Sequence, residues 1–331
     1  MKKLQSACTL VAAAGLSLVL ATQAQAQNAA YPAKPVRVVY PFAPGGGGYL
    51  MSRTLTAELT RDLKESFIVD NRTGGNGNIG TDIVAHAPAD GYTLLVTTNA
   101  TIAINPQLFT KAVLYDPVKD FSPISLLASQ PFVLVLYPSV PAKTVPELIA
   151  LAKAKPGTLN YASSGSGGGA HLAGEMLKTF ANIEITHVPY NGSNPALMAL
   201  TGGQVQFMFV AALAAMPLVE QNRLRAIAVS TAKRSPALPN LPAVAEFPGL
   251  ETFASDLWYG FLAPAKTSPA IIEKLYTATT AALARAEVKN RIEPSGAVLV
   301  GSSPKEFAQT IRNDIARWGK VITVAKVTPE Y

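Results

Sequence analysis

Thiols are almost absent from this 331-residue chain, whose single cysteine is Cys8. That residue falls in a leader-like segment: Lys2-Lys3, an apolar run from Thr9 to Ala21, then the small residues of Ala24-Gln25-Ala26. This order predicts a secretory signal, residues 1–26, cleaved after Ala26. The run is shorter than the about 20 apolar residues a membrane anchor needs. Cys8 precedes the apolar core, the wrong place for a lipid-bearing cysteine. Its removal leaves no thiol, which excludes disulfides and cysteine-ligated metals or clusters.

Histidine is nearly as scarce. His86, His171 and His187 form no His-Glu-x-x-His pair, and the acids show no metal-ligand spacing, so no metal, cofactor or catalytic residue is assigned. There is no Gly-x-Ser-x-Gly elbow. Ser164 and Ser166 lie near His171 in sequence, but no orienting acid completes a hydrolase. Basic blocks are missing too, the longest being Lys233-Arg234. The net charge of +7 becomes +5 without Lys2 and Lys3, a scattered surplus that fits small anions or solubility and excludes nucleic acid. No run after the leader is long and apolar enough to span a bilayer, and there is no internal repeat.

What is present is strand, glycine-rich turn and helix in alternation. Strands are predicted at Val36–Tyr40, Ser66–Val69, Tyr92–Thr98, Phe132–Tyr137, Leu159–Ala162, Ile185–Val188, Val205–Val210, Ala226–Ser230 and Trp258–Leu262. Helices are predicted near Leu50–Leu63, Gly80–His86, Pro146–Ala154, Ala170–Phe180, Pro269–Ala286 and Pro304–Ala325. The pattern implies an α/β fold of two lobes, each with a mainly parallel sheet flanked by helices, hinged around a central cleft. Residues 27–130 and 257–331 are expected in lobe 1 and 131–256 in lobe 2, with crossings near Pro131 and Asp256.

Two glycine loops stand between strand and helix. Pro41-Phe42-Ala43-Pro44 runs into Gly45–Gly48, and Ser163-Ser164-Gly165-Ser166 into Gly167–Gly169. Bare backbone at a helix start is an anion site, and two such loops facing one cleft would hold a carboxylate. The first loop lacks the Gly-Lys-Ser/Thr of a nucleotide phosphate loop. Gly75–Gly80 fits a dinucleotide fingerprint, but its helix is short and the next strand ends in Thr98-Asn99 rather than an acid, which argues against NAD. His171 reads as a helix-face residue near the cleft, not a base.

Together the motifs resemble a family. Val38–Gly46 with Arg53, Asn71–Gly80, Asp90–Leu95, Tyr115–Phe121, Asn160–Gly165, His187–Gly192, Gly202–Val205 and Lys233–Pro239 resemble the Bug receptors, the solute-binding components of tripartite tricarboxylate transporters. The resemblance implies a periplasmic binding protein of the second type, with no chemistry of its own. It would close on a small carboxylate, work as a monomer, and deliver to membrane permease subunits. It implies a site of Phe42, Ala43, Gly45 and Gly46 with Ser163, Ser164 and Gly165. Thr98, Asn99, His171, Tyr190, Asn191, Gly192 and Asp256 would line the rest. Two departures bear on the ligand: Tyr49 stands where many relatives carry Asp, and Met208-Phe209-Val210-Ala211 replaces a stretch ending in Asp-Asn. Val210 and Ala211 therefore join the expected site. Losing both acids removes partners for an ammonium and adds an aromatic face, which points to an aromatic or dicarboxylic acid such as terephthalate. The alternatives are that Tyr49 turns outward and a plain aliphatic diacid fits, or that the chain is a periplasmic sensor input to a signalling kinase.

Overall fold

The computed structural model describes residues 31–190, 192–325 and 327–328. The leader lies outside them, as does Asn191.

The β-branched run Val36–Tyr40 forms β1, with every residue but Arg37 buried. Helix α1 is Gly46–Leu63, β2 is Phe67–Asn71, α2 is Asn78–Ala85 and β3 is Thr93–Thr98. Strands β2 and β3 flank β1 in parallel. After the short helix α3, Asn105–Leu108, comes β4, Phe121–Leu136, sixteen residues long. It is more than twice the strand expected from Phe132. Pro123 and Pro131 hide its first half from a propensity reading, since proline donates no ladder bond. The register slips between Pro123 and Ser125 and again between Leu126 and Ala128.

Helix α4 is Val145–Ala154, β5 is Leu159–Ser163, α5 is Gly169–Ala181 and β6 is Ile185–Pro189. Helix α6, Ser193–Thr201, precedes β7, Phe207–Ala211; helix α7, Ala212–Glu220, precedes β8, Arg225–Val229. The chain returns through β9, Asp256–Pro264, to helices α8, Pro269–Leu283, and α9, Ala286–Ile292. It ends with the short β10, Val298–Leu299, and α10, Pro304–Val324.

The strands form two ladders that share β4. Its residues 121–131 pair antiparallel with β9, whose other edge meets β3. Residues 132–136 pair antiparallel with β7 and β8, and β7 continues to β5 and β6 in parallel. The sheets are mixed because β4 and β9 carry the chain in opposite directions past one another, with Pro131 opposite Asp256. Beside them Ser255 N–H donates to the Ser230 carbonyl, and Phe132 N–H to Ser230 Oγ.

Separate apolar clusters flank each ladder, one around Val38, Leu55, Leu94 and Phe261, another around Leu134, Tyr161, Leu172 and Phe209. Helix α10 joins neighbouring clusters. Its Phe307 and Ile311 pack with Trp258, whereas Trp318, Val321 and Ile322 pack with the α5 side of the molecule. The closing helix thus braces both halves.

Candidate functional site: a cleft where three helices begin

A cavity of about 470 Å³ opens between the two ladders. From the first half, Tyr40, Phe42, Gly47, Gly48, Thr98, Ala100, Gln130, Leu257 and Tyr259 line it. From the second come Ser193, Asn194, Ala211, Leu213 and Ala214. None of these described lining residues carries a charge.

Three α-helices start at this cavity. Gly47 and Gly48 lie in the first turn of α1, Ser193 and Asn194 in that of α6, and Leu213 and Ala214 in that of α7. Their N-caps are Gly45, Gly192 and Ala211, and none supplies a side-chain cap. By contrast α4, α8 and α10 are capped by Thr144, Ser268 and Ser303, and none of their residues lines the cavity. A helix start leaves several N–H groups without intrahelical acceptors. Those of α1, α6 and α7 therefore face one space with their positive dipole ends.

The glycines of α1 serve packing as well as the site. A Cβ on Gly47 would lie 2.6 Å from Tyr259 Oη, and one on Gly48 would fall on Tyr40 Oη. The helix so begins at Gly46, four residues earlier than its apolar periodicity suggests, because two tyrosine hydroxyls rest on its first turn. Tyr259 Oη donates to Gln130 Oε1 at 3.0 Å. Burial pushes both phenols above the ordinary tyrosine range, so they remain protonated donors.

The expected site residues separate on the structure. Phe42, Thr98 and Ala211 line the cavity, while Ala43 and Gly45 are exposed on the α1 loop beside it and Gly46 opens the helix. Tyr49 does not line it; its ring packs toward Tyr40, centroids 6.4 Å apart, in the first apolar cluster. The aromatic wall is Tyr40, Phe42 and Tyr259 instead. Val210 is buried against Val133, since alternation along β7 sends it to the face opposite Ala211. Asp256 likewise points away from the cavity that Leu257 and Tyr259 line. It accepts a hydrogen bond from Ser129 Oγ and faces Arg317, and its carbonyl accepts from Asn99 Nδ2.

The second glycine loop stands behind α6. Tyr190 N–H donates to the Ser163 carbonyl and Gly192 N–H to that of Ser164, which ties the loops of Ser163–Gly165 and Tyr190–Gly192 together. Ser163 is fully buried, with Oγ 2.7 Å from His187 Nε2 and donating to the Gly165 carbonyl. Ser163 Oγ is thus held between the His187 ring and the Gly165 carbonyl, and the pair ties the loop together. His171 is buried, not on an open helix face. It stacks on His187 at 3.8 Å and accepts from Gly167 N–H through Nδ1. Tyr40, Gln130, Ser193, Asn194 and Tyr259 were not expected from sequence; only the loop at Tyr190–Gly192 hinted at the α6 start.

Burial, then His187 and Lys178, lowers the His171 pKa from 6.5 to about 3. The unfolded chain takes that proton near 6.5 and the folded chain only near 3. His171 therefore costs stability as the pH falls through that window, at up to about 1.4 kcal/mol per unit. His171→Gln keeps an acceptor for Gly167 and should flatten this loss. Urea midpoints of both proteins at pH 7, 5.5 and 4.5 check it; parallel curves would refute the assignment.

Comparison with known proteins agrees with this architecture. A sequence profile of the family described as "Tripartite tricarboxylate transporter family receptor" matches residues 51–327. Protein BugT of Bordetella pertussis is 34% identical over 88% of this chain and 89% of its own. Among solved structures, R. palustris Rpa4515 with adipate is 36% identical, with TM-score 0.79 over 91% of this chain and all of that one. MatC of Rhodopseudomonas palustris with bound malate is 32% identical, with TM-score 0.75 over 88% of this chain and all of that one. None of the described helices is long and apolar enough to cross a membrane. The chain belongs to the tripartite tricarboxylate transporter receptor family, and its fold is that of solved periplasmic binding proteins such as BugD, 29% identical with TM-score 0.76 over 91% of this chain and all of that one.

Proposed function

We propose that this chain captures a small dicarboxylate in the cleft and, as an exported monomer, delivers it to the membrane permease subunits of a tripartite carrier. The observation that carries this reading is the meeting of three helix starts without side-chain caps on one cavity whose described lining bears no charge. A carboxylate there takes backbone N–H bonds and dipole stabilisation without a lysine or arginine. An ammonium finds no acid among the described lining residues, which disfavours amino acids. Solved relatives hold adipate and malate, two dicarboxylates. The cavity volume is within the range of about 300–1,000 Å³ usual for small-molecule sites.

The rings of Tyr40, Phe42 and Tyr259 make a flat acid such as terephthalate the preferred ligand. Calorimetry of the protein against adipate, malate, terephthalate, aspartate and glucose tests this. Saturable binding of a dicarboxylate supports it; tight binding of aspartate or glucose with no diacid bound overturns it. Phe42→Ala is expected to weaken terephthalate about tenfold and adipate less, a loss of one ring contact of about 1 kcal/mol plus its buried area. Tyr49→Ala, away from the cavity, should change either affinity by less than about threefold. The same titrations on these two variants would refute the aromatic wall if Tyr49→Ala cost more than Phe42→Ala.

A further inference from the structure

A second cavity, of about 380 Å³, lies between α5 and the end of α10. It is on the far side of β9 from the cleft. Along β9, Leu257 and Tyr259 face the cleft, while Asp256 and Trp258 turn the other way and meet Arg317 and Asp314 of α10. The walls are Met176 and Phe180 from α5 and Val321 and Val324 from α10, with Arg317 and Lys320 as the charged residues. Val324 is half exposed at the lip, a large apolar side chain left facing water. Lys320 is exposed and, among the described residues, paired with no carboxylate. Arg317 turns its terminal nitrogens toward Asp314 and the Ala254 carbonyl, while its buried Nε–H has no acceptor among the described residues. No acid is among the described lining residues.

An apolar slot with the Lys320 ammonium at its mouth, unpaired among the described residues, has one complementary occupant. Water gains little from walls of methionine, phenylalanine and valine. A dicarboxylate would bury a second charge against the same walls, at a cost that excludes it. An amphipathic monoanion satisfies both parts: its carboxylate meets the Lys320 ammonium while an alkyl chain displaces water from the slot. We propose that this cavity is a binding site for a medium-chain monocarboxylate, separate from the cleft. A ligand there touches α5 of one half and the bracing helix α10, beside the Arg317 contacts to the second chain crossing.

Decanoate and the uncharged decanol, titrated calorimetrically into the protein, test the site. Decanoate is expected to bind saturably with about one equivalent, and decanol at least tenfold more weakly. Lys320→Glu and Val324→Glu change exposed positions and should each weaken decanoate at least tenfold while leaving adipate binding unaltered. Leu213→Asp places an anion at the cleft and should weaken adipate but leave decanoate unchanged. Decanoate binding that ignores Lys320→Glu and falls with Leu213→Asp would put the carboxylate in the cleft and overturn the proposal. Equal binding of decanol, or no saturation by decanoate below millimolar concentration, overturns it as well. Failure here leaves the cleft titrations with adipate untouched, so the two readings stand or fall separately.

Discussion

Replacing Arg317 with methionine is expected to lower the unfolding free energy by about 3 kcal/mol, because it leaves a buried carboxylate without its cation. Asp314 is buried on α10 and receives Trp258 Nε1–H at 2.6 Å and Arg317 Nη2–H at 2.8 Å. Burial pushes its pKa above the ordinary carboxylate range, and Arg317 is the largest influence opposing that rise. The same guanidinium donates to the Ala254 carbonyl at 2.5 Å and lies 3.6 Å from Asp256. One side chain therefore straps α10 to the strand by which the chain crosses back, at the point where β9 meets Pro131 of β4. Methionine keeps the apolar stem, so the loss reads charge and hydrogen bonding rather than packing. Removing the acid too, in Asp314→Leu with Arg317→Met, should recover part of the stability, since an apolar pair often matches a buried ion pair. Urea unfolding of the two single variants and the double variant forms the cycle. A single loss below about 1 kcal/mol, or a double variant weaker than the sum of the singles, would refute the strap.

Strand β1, the α4 cap at Thr144 and helix α10 declare themselves by β-branched runs, a capping residue and periodic apolar positions. All three signals are local. Long β4 does not declare itself, because Pro123 and Pro131 break the pattern that its neighbours β9, β7 and β8 restore through pairing. Helices α6 and α7 are nine residues each, and α7 contains Pro217, so neither shows enough periodicity to be assigned. Their first turns build half of the cleft, which is why Ser193, Asn194 and Leu213 could not be expected.

Orientation was the harder limit at the site. Of the residues expected at the site, Phe42, Thr98 and Ala211 line this cavity. Whether a side chain faces it depends on strand parity and on what lies behind the sheet. Parity sends Val210 into the core and Asp256 toward Arg317. Tyr49 lies near the start of α1, yet packing against Tyr40 takes its ring off the cavity lining. The aromatic face expected from Tyr49 is supplied at the cavity by Tyr40, Phe42 and Tyr259.

Gly48→Ala is the substitution that most directly asks why the first helix opens on glycine. In an exposed helix interior, glycine to alanine gains up to about 1 kcal/mol. At Gly48 the new methyl would fall on Tyr40 Oη and lie 2.9 Å from Tyr259 Cε1. Both rings are buried, and neither can swing aside without opening the cavity wall they form. The expected outcome is a net loss of about 2 kcal/mol in stability, the usual scale of over-packing. Affinity for adipate should drop at least tenfold, about 1.4 kcal/mol, because the displaced hydroxyls no longer face the helix start. Gly319→Ala in α10 is the control, since its methyl would come no closer than 3.2 Å to the end of the Gln107 side chain. It should be neutral or stabilising and leave adipate binding intact. Adding Tyr40→Phe to Gly48→Ala removes the clashing oxygen. That should return much of the stability but only part of the affinity, because a donor to the ligand is lost with it. Urea unfolding and adipate calorimetry on the four proteins read both quantities. If Gly48→Ala is as stable as Gly319→Ala and binds adipate like the parent, the glycines are not there for the tyrosines, and the aromatic wall does not rest on the helix start.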